Sequence, residues 1–113
     1  MQREEFSNEE YVYESKKNIY IVPYNSILYM MSRDKYIEIY LYDGSMRKFR
    51  GKLEIEKNKV NEQFAAAGKS FIINLKHVKE CYYDHIIMKN NVEISISRPY
   101  RAKFREQLRE YLL

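Results

Sequence analysis

Hydrophobic and polar residues alternate with period two through most of this chain, and short polar turns repeatedly cut the alternation. The clearest run is Tyr36-Ile37-Glu38-Ile39-Tyr40-Leu41-Tyr42. Ile37, Ile39 and Leu41 take one face and Tyr36, Glu38, Tyr40 and Tyr42 the other, which predicts a strand with a buried and an outward side. Asp43-Gly44 follows, a dipeptide suited to a two-residue type I′ turn, whose central positions both favour φ above zero. Ser45 to Arg50 is the expected return strand, its outward positions basic.

The rest of the chain is read the same way. Tyr11 to Glu14 and Ile19 to Val22 predict a hairpin around the polar turn Ser15-Lys16-Lys17-Asn18, and Pro23, lacking an N–H, ends it or confines it to an edge. Ile27 to Met31 predicts a short strand closed by the charged corner Ser32-Arg33-Asp34-Lys35. From Lys52 to Phe64 the spacing turns helical, with Leu53, Val60 and Phe64 near one face and poor caps. Ala65-Ala66-Ala67-Gly68 reads as the end of that helix, Gly68 being its stop. Strands are expected over Phe71 to Leu75, Lys79 to Tyr83, Ile86 to Met88 and Val92 to Ser97, with tight turns at Asp84-His85 and Asn90-Asn91. Short turns specify antiparallel pairing. Pro99 suits the first turn of a last helix with the stripe Tyr100, Phe104, Leu108 and Tyr111 or Leu112. The expected fold class is mostly β, with one short internal helix and a C-terminal helix.

Residues 1–10 are polar, carry four glutamates and read as a linker or disordered arm, leaving 11–113 as one domain. At 113 residues and 45% hydrophobic content, one modest core is expected. No stretch approaches the ~18 apolar residues of a membrane span, and the charged start is not a signal peptide. The expected setting is cytoplasmic. A lone cysteine, Cys81, excludes a disulfide framework or a cysteine metal cluster, and reads as the filling of a small apolar slot. A net charge of +4 fits a polyanionic partner without naming one. The 12 tyrosines, with no tryptophan, first indicate half-buried sheet faces and, more sharply, a base-stacking surface.

Candidate chemistry concentrates at two strand ends. Lys69-Ser70 leads into Phe71-Ile72-Ile73, and Ile94 and Ile96 lead out to Ser97-Arg98, so each end presents one long cation on a β scaffold. Such cations suit DNA grooves. An arginine fork can pair with the O6 and N7 of guanine, whereas lysine acts as a point charge on a base edge or phosphate. Gly68-Lys69-Ser70 echoes the end of a phosphate-binding loop, but it lacks the upstream glycine and enters a strand, so that reading fails. His77 and His85 are isolated, and Asn74, flanked by apolar residues, reads as structural. No nucleophile–base pair, metal cluster or cofactor loop points to an enzyme; no cofactor and no metal are expected.

Four stretches, in order and at matching spacing, resemble the LytTR DNA-binding domain of LytR/AlgR-type response regulators. They are Val22-Pro23-Tyr24-Asn25-Ser26-Ile27-Leu28-Tyr29, Tyr42-Asp43-Gly44, Phe64 through Ser70 into Phe71-Ile72-Ile73-Asn74, and Ile94-Ser95-Ile96-Ser97-Arg98-Pro99-Tyr100. The resemblance implies an elongated stack of short antiparallel sheets that reads double-stranded DNA through loops entering major grooves, usually at paired direct repeats. It implies base contacts from Arg98, Lys69, Lys35 and Tyr36. Ser70, Ser97, Arg101, Arg33 and Lys103 are the backbone-contact candidates beside them. It also implies transcription regulation, a receiver domain in the full-length protein, for which residues before Tyr11 leave no room, and a possible dimer on DNA. Gly68 and Ala66 stand where the family often has histidine and arginine, which bears on sequence preference and on how tightly the loop is held.

Two other readings stay open. Tyr36, Tyr40 and Tyr42 on an outward face would stack the bases of a single strand, and the domain could bind protein without nucleic acid. Arg105 and Arg109 share a helix face with Arg101 but are diluted by Glu106 and Glu110, which reads as a solvated face.

Overall fold

A computed structural model describes residues 9–113. The polar arm expected over residues 1–10 lies outside the described residues as far as Asn8, while Glu10 already opens the first strand. The strands are β1 (Glu10–Ser15), β2 (Asn18–Pro23), β3 (Ile27–Arg33), β4 (Tyr36–Leu41), β5 (Met46–Arg50), β6 (Phe64–Gly68), β7 (Phe71–Asn74), β8 (Val78–Cys81), β9 (His85–Met88) and β10 (Glu93–Ser95). The helices are α1 (Leu53–Glu56) and α2 (Arg101–Leu112), the latter entered through a 3₁₀ turn at Arg98–Tyr100. The fold is mostly β, and every pairing is antiparallel.

Three sheets stack. A five-stranded sheet of order β5-β4-β3-β7-β6 lies in the middle, with the β1-β2 hairpin over one face. The β10-β9-β8 sheet and α2 cover the other. One core joins Tyr11, Tyr13, Val22 and Tyr24 to Met30, Ile37, Ile39, Phe49 and Ile72. A second joins Leu28, Ile73 and Ala67 to Ile86, Ile94, Phe104 and Leu108. Two cores on one sheet change the meaning of the β4 alternation. Ile37, Ile39 and Leu41 enter the first core as expected, but the opposite face is outward only at its ends, Tyr36 and Tyr42. Glu38 is buried, and Tyr40 stacks on Tyr29 at 4.7 Å between centroids.

Two local expectations are corrected. The helix expected from Lys52 to Phe64 is only α1 plus a 3₁₀ turn at Lys57–Lys59, and Phe64-Ala65-Ala66-Ala67-Gly68 is a strand. Alanine favours helix by itself, but tertiary context overrides so weak a preference. Here the small side chains of Ala65 and Ala67 are buried in the core that α2 closes with Phe104 and Leu108. The Asp43-Gly44 turn is not type I′. Only Gly44 has positive φ (91°), and Leu41 N–H donates to Ser45 O at 2.9 Å, giving a three-residue loop.

Buried polar groups fasten the layers. The Tyr11 hydroxyl donates to Glu56 Oε1 at 2.5 Å, tying β1 to α1; burial first, then that carboxylate, pushes the phenol far above its ordinary pKa. Asn74 is wholly buried. Its Nδ2 donates to the carbonyls of Tyr24 (2.9 Å) and Ile27 (2.8 Å), and its Oδ1 accepts from Lys76 N–H (3.0 Å), so it pins the entry to β3 against the end of β7. His77 stacks on Tyr42 and sets Nε2 2.6 Å from the Asn25 carbonyl, which makes that nitrogen the donor.

Candidate nucleic-acid interface

Antiparallel order brings several chain reversals to one end of the central sheet. β3 ends at Arg33 opposite Tyr36, Tyr36 pairs with Arg50 at the end of β5, and β6 and β7 meet at Gly68 and Phe71. Backbone hydrogen bonds then fix the corners side by side. Gly51 N–H donates to Lys35 O at 3.1 Å, Ser32 N–H to Ser70 O at 3.0 Å, and Ser97 N–H to Ala67 O at 2.9 Å. The row therefore runs from the β5–α1 corner through the β3–β4 and β6–β7 turns to the β10–α2 junction. No helix is inserted; the sheet carries the row, which suits a site needing fixed geometry.

Lys69 is an exposed residue of a two-residue turn between strands, rather than the residue after a helix. Lys35, Arg50, Lys52 and Lys69 line one groove of about 550 Å³, with Asp34 and Glu54 on the same wall. Lys69 also lines a second concavity of about 410 Å³ with Ser70, Ser97 and Pro99. Arg98 begins the 3₁₀ turn that leaves this concavity and is exposed, and its guanidinium has no hydrogen-bond or ion-pair partner among the described residues. Lys69 and Arg98 thus lie at one end of the body, joined by the Ser97–Ala67 bond.

Gly68 makes this junction possible. It is buried, and a Cβ there would stand 2.8 Å from Ser97 Oγ. Its φ is not in the left-handed region, so the glycine serves close approach instead of a loosened loop. Asp34, at the tip of the β3–β4 turn, takes φ 57°, which aspartate tolerates better than most residues.

The other candidates are placed differently. Arg33 Nε donates to Glu38 Oε2 at 3.2 Å, and Tyr40 OH donates to Oε1 at 2.6 Å. The Tyr40 hydrogen bond first, then the Arg33 charge, hold the Glu38 carboxyl below its usual range. Arg33 is thereby a strut behind the Lys35 turn. Tyr36 lies under the Lys48 ammonium, 4.9 Å from its ring centre. Ser70 and Ser97 are exposed within the row. Arg101 Nε donates to Ile96 O at 2.9 Å. Lys103 lies apart, lining a hollow with Lys57 and Gln107. The tyrosine platform is not assembled: Tyr36 is at the row, Tyr40 is packed inside, and Tyr42 stacks on His77 at the opposite end. Sequence reasoning missed Arg50 and Lys52. It is the β4–β5 register in the folded sheet that sets Arg50 opposite Tyr36.

The model of the LytTr DNA-binding domain matches residues 17–109. The chain belongs to the LytTR family. A solved LytTr DNA-binding domain from Bacillus cereus, ascribed to a methyl-accepting/DNA response regulator, superposes with a TM-score of 0.74 at 21% identity, covering 88% of this chain and 96% of that one. No curated protein matches the sequence significantly. The LytTR match spans all four corners of the row. Among the described residues, no helix is long and apolar enough to cross a membrane, and no cluster of His, Cys, Asp and Glu could hold a metal ion.

Proposed function

We propose that this LytTR domain binds double-stranded DNA sequence-specifically and regulates transcription from the cytoplasm, as the output domain of a two-component response regulator. The supporting observation is the row of corners, bonded backbone to backbone, whose unpaired cations project from one end of the sheet stack. Arg98 and Lys69 read base edges, with Lys35 and Tyr36 beside them. Ser70, Ser97, Arg101, Arg50 and Lys52 hold phosphates; Arg33 and Lys103 contribute less, one being tied to Glu38 and the other lying apart. Phosphate contacts position the domain and base contacts specify the site. In a longer protein the domain is joined to a receiver domain, and two copies occupy paired direct repeats as a dimer on DNA.

Selection of bound duplexes from a random pool tests this, giving site, repeat spacing and stoichiometry together. Arg98→Ala should then reduce the preference for selected over random duplex by roughly five- to 150-fold, one bidentate contact being worth about 1–3 kcal/mol. An unchanged ratio would remove Arg98 from its role. Preference for single-stranded over double-stranded probes would overturn the reading as a whole.

A further inference from the structure

The β8–β9 loop carries a feature that the reading row leaves unexplained. Tyr83 is 74% exposed, yet its ring is held in place. The Arg101 guanidinium packs over it, 5.3 Å from the ring centre, and Arg101 is itself fixed by its Nε–H donated to Ile96 O at 2.9 Å. The loop is pinned on both sides of Tyr83. Ile96 N–H donates to Asp84 O at 2.9 Å, Arg105 donates to Tyr82 O at 3.1 Å, and Tyr82 stacks on His85 at 4.7 Å. An exposed aromatic usually moves freely, whereas this one is preorganised. Its hydroxyl and the terminal amino groups of Arg101 have no hydrogen-bond partner among the described residues, although the Arg101 charge acts on the nearby Asp84 carboxylate.

We propose that Tyr83 and Arg101 form a clamp for one DNA phosphate flanking the base pair read by Arg98, a proposal that rests on the DNA-reading assignment above. Ile96, which bonds both the Asp84 carbonyl and Arg101, lies two residues before Arg98. Arg98 and Arg101 are three residues apart across the turn into α2, a spacing that sets side chains on neighbouring sides of a helix. A phosphate accepts two hydrogen bonds of about 2.9 Å on separate oxygens, and a phenol beside a guanidinium supplies both donors. Asp84 and Glu80 are the opposing charges, and both are engaged. Asp84 accepts from His85 at 2.8 Å, and Glu80 accepts from the Tyr82 hydroxyl at 2.9 Å. Tyr83 thereby gives the β8–β9 loop a place at the duplex.

The test uses duplexes selected by the wild-type chain, random duplexes, and ethylation interference to map phosphates. Tyr83→Phe keeps the ring on Arg101 and removes only the hydroxyl. It should weaken binding about fivefold on selected and random duplexes alike, the scale of one hydrogen bond to a charged group partly replaced by water. One ethylated phosphate beside the guanine assigned to Arg98 should interfere strongly with wild type and more weakly with Tyr83→Phe, which keeps only the Arg101 contact to it. Tyr83→Ala should weaken binding further while circular dichroism and melting stay near wild type, since the ring is exposed. Unchanged affinity and ethylation pattern in both variants, with Arg98→Ala still losing discrimination, would overturn the clamp and leave the reading row standing. A wild-type chain that binds no duplex would overturn both.

Discussion

Asn74 offers the sharpest test of how the stack is held. The residue is wholly buried, and its amide nitrogen satisfies the carbonyls of Tyr24 and Ile27, two buried residues where the chain passes from the hairpin layer into β3. Asn74→Ala removes the amide donor from Ile27 O and leaves Tyr24 O with only the Ile27 N–H of the 3₁₀ turn, and an unsatisfied buried group costs about 1–3 kcal/mol. Loss of the side chain's packing adds to this, so a total of about 3–5 kcal/mol is expected. A domain of this size has only about 5–15 kcal/mol to lose. With a urea slope of about 1–3 kcal/mol per molar, the unfolding midpoint should drop by roughly 2 M. Asn74→Asp keeps the shape and inverts the chemistry, since an ionised carboxylate would confront two carbonyl oxygens. Its folded-state pKa should rise above the unfolded value of about 3.9. The folded state then binds the extra proton, so the variant loses stability as pH rises from about 4 toward neutrality. Urea melts of wild type and both variants at pH 4.5 and 7 decide the matter. A cost below about 1 kcal/mol for Asn74→Ala would show that water or backbone relaxation replaces the amide, contrary to the reasoning here.

His77 should make stability fall on mild acidification. Burial first holds its pKa below the ordinary value, and its buried Nδ1 has no acceptor for a second proton. The unfolded state therefore takes up the proton first, and stability declines as pH drops below about 6.5. His77→Gln should flatten that decline in melts between pH 7.5 and 5. Arg50→Ala with Lys52→Ala should lower the salt slope of duplex binding by about 2 while the preference for selected sites persists. A fall in site preference without a change of slope would instead make these residues base readers. Arg33→Ala leaves Glu38 buried without its cation and should lower the melting temperature, whereas Arg33→Ala combined with Glu38→Gln should recover most of the loss. If the double variant melts no higher than the single one, Arg33 is not the strut described.

The alternation of Ile37, Ile39 and Leu41, the Pro23 stop, the turn dipeptides and the Tyr100–Leu108 stripe determined a mostly β, antiparallel chain with a terminal helix. Those signals are local, because side-chain period and backbone φ are properties of a few neighbouring residues. The four stretches that resemble the LytTR family were equally legible, since they are strings of residues. Asn74 could be named structural from its apolar neighbours, though its partners, 47 and 50 residues away, could not.

What the local pattern could not settle was decided by layers. Glu38 and Tyr40 looked outward because period two distinguishes two faces but not whether a second sheet covers the other one. Ala65 to Gly68 looked helical because small residues favour helix until a neighbouring helix needs a thin strand beneath it. Arg50, Lys52 and Tyr83 carried no signal that separated them from solvated surface. Only the pairing of β4 with β5 and the bond from Ile96 to Asp84 set them beside Lys35 and Arg98. Sequence fixes which groups are available, whereas proximity between distant segments arises from burying two apolar faces at once, a requirement no single segment contains.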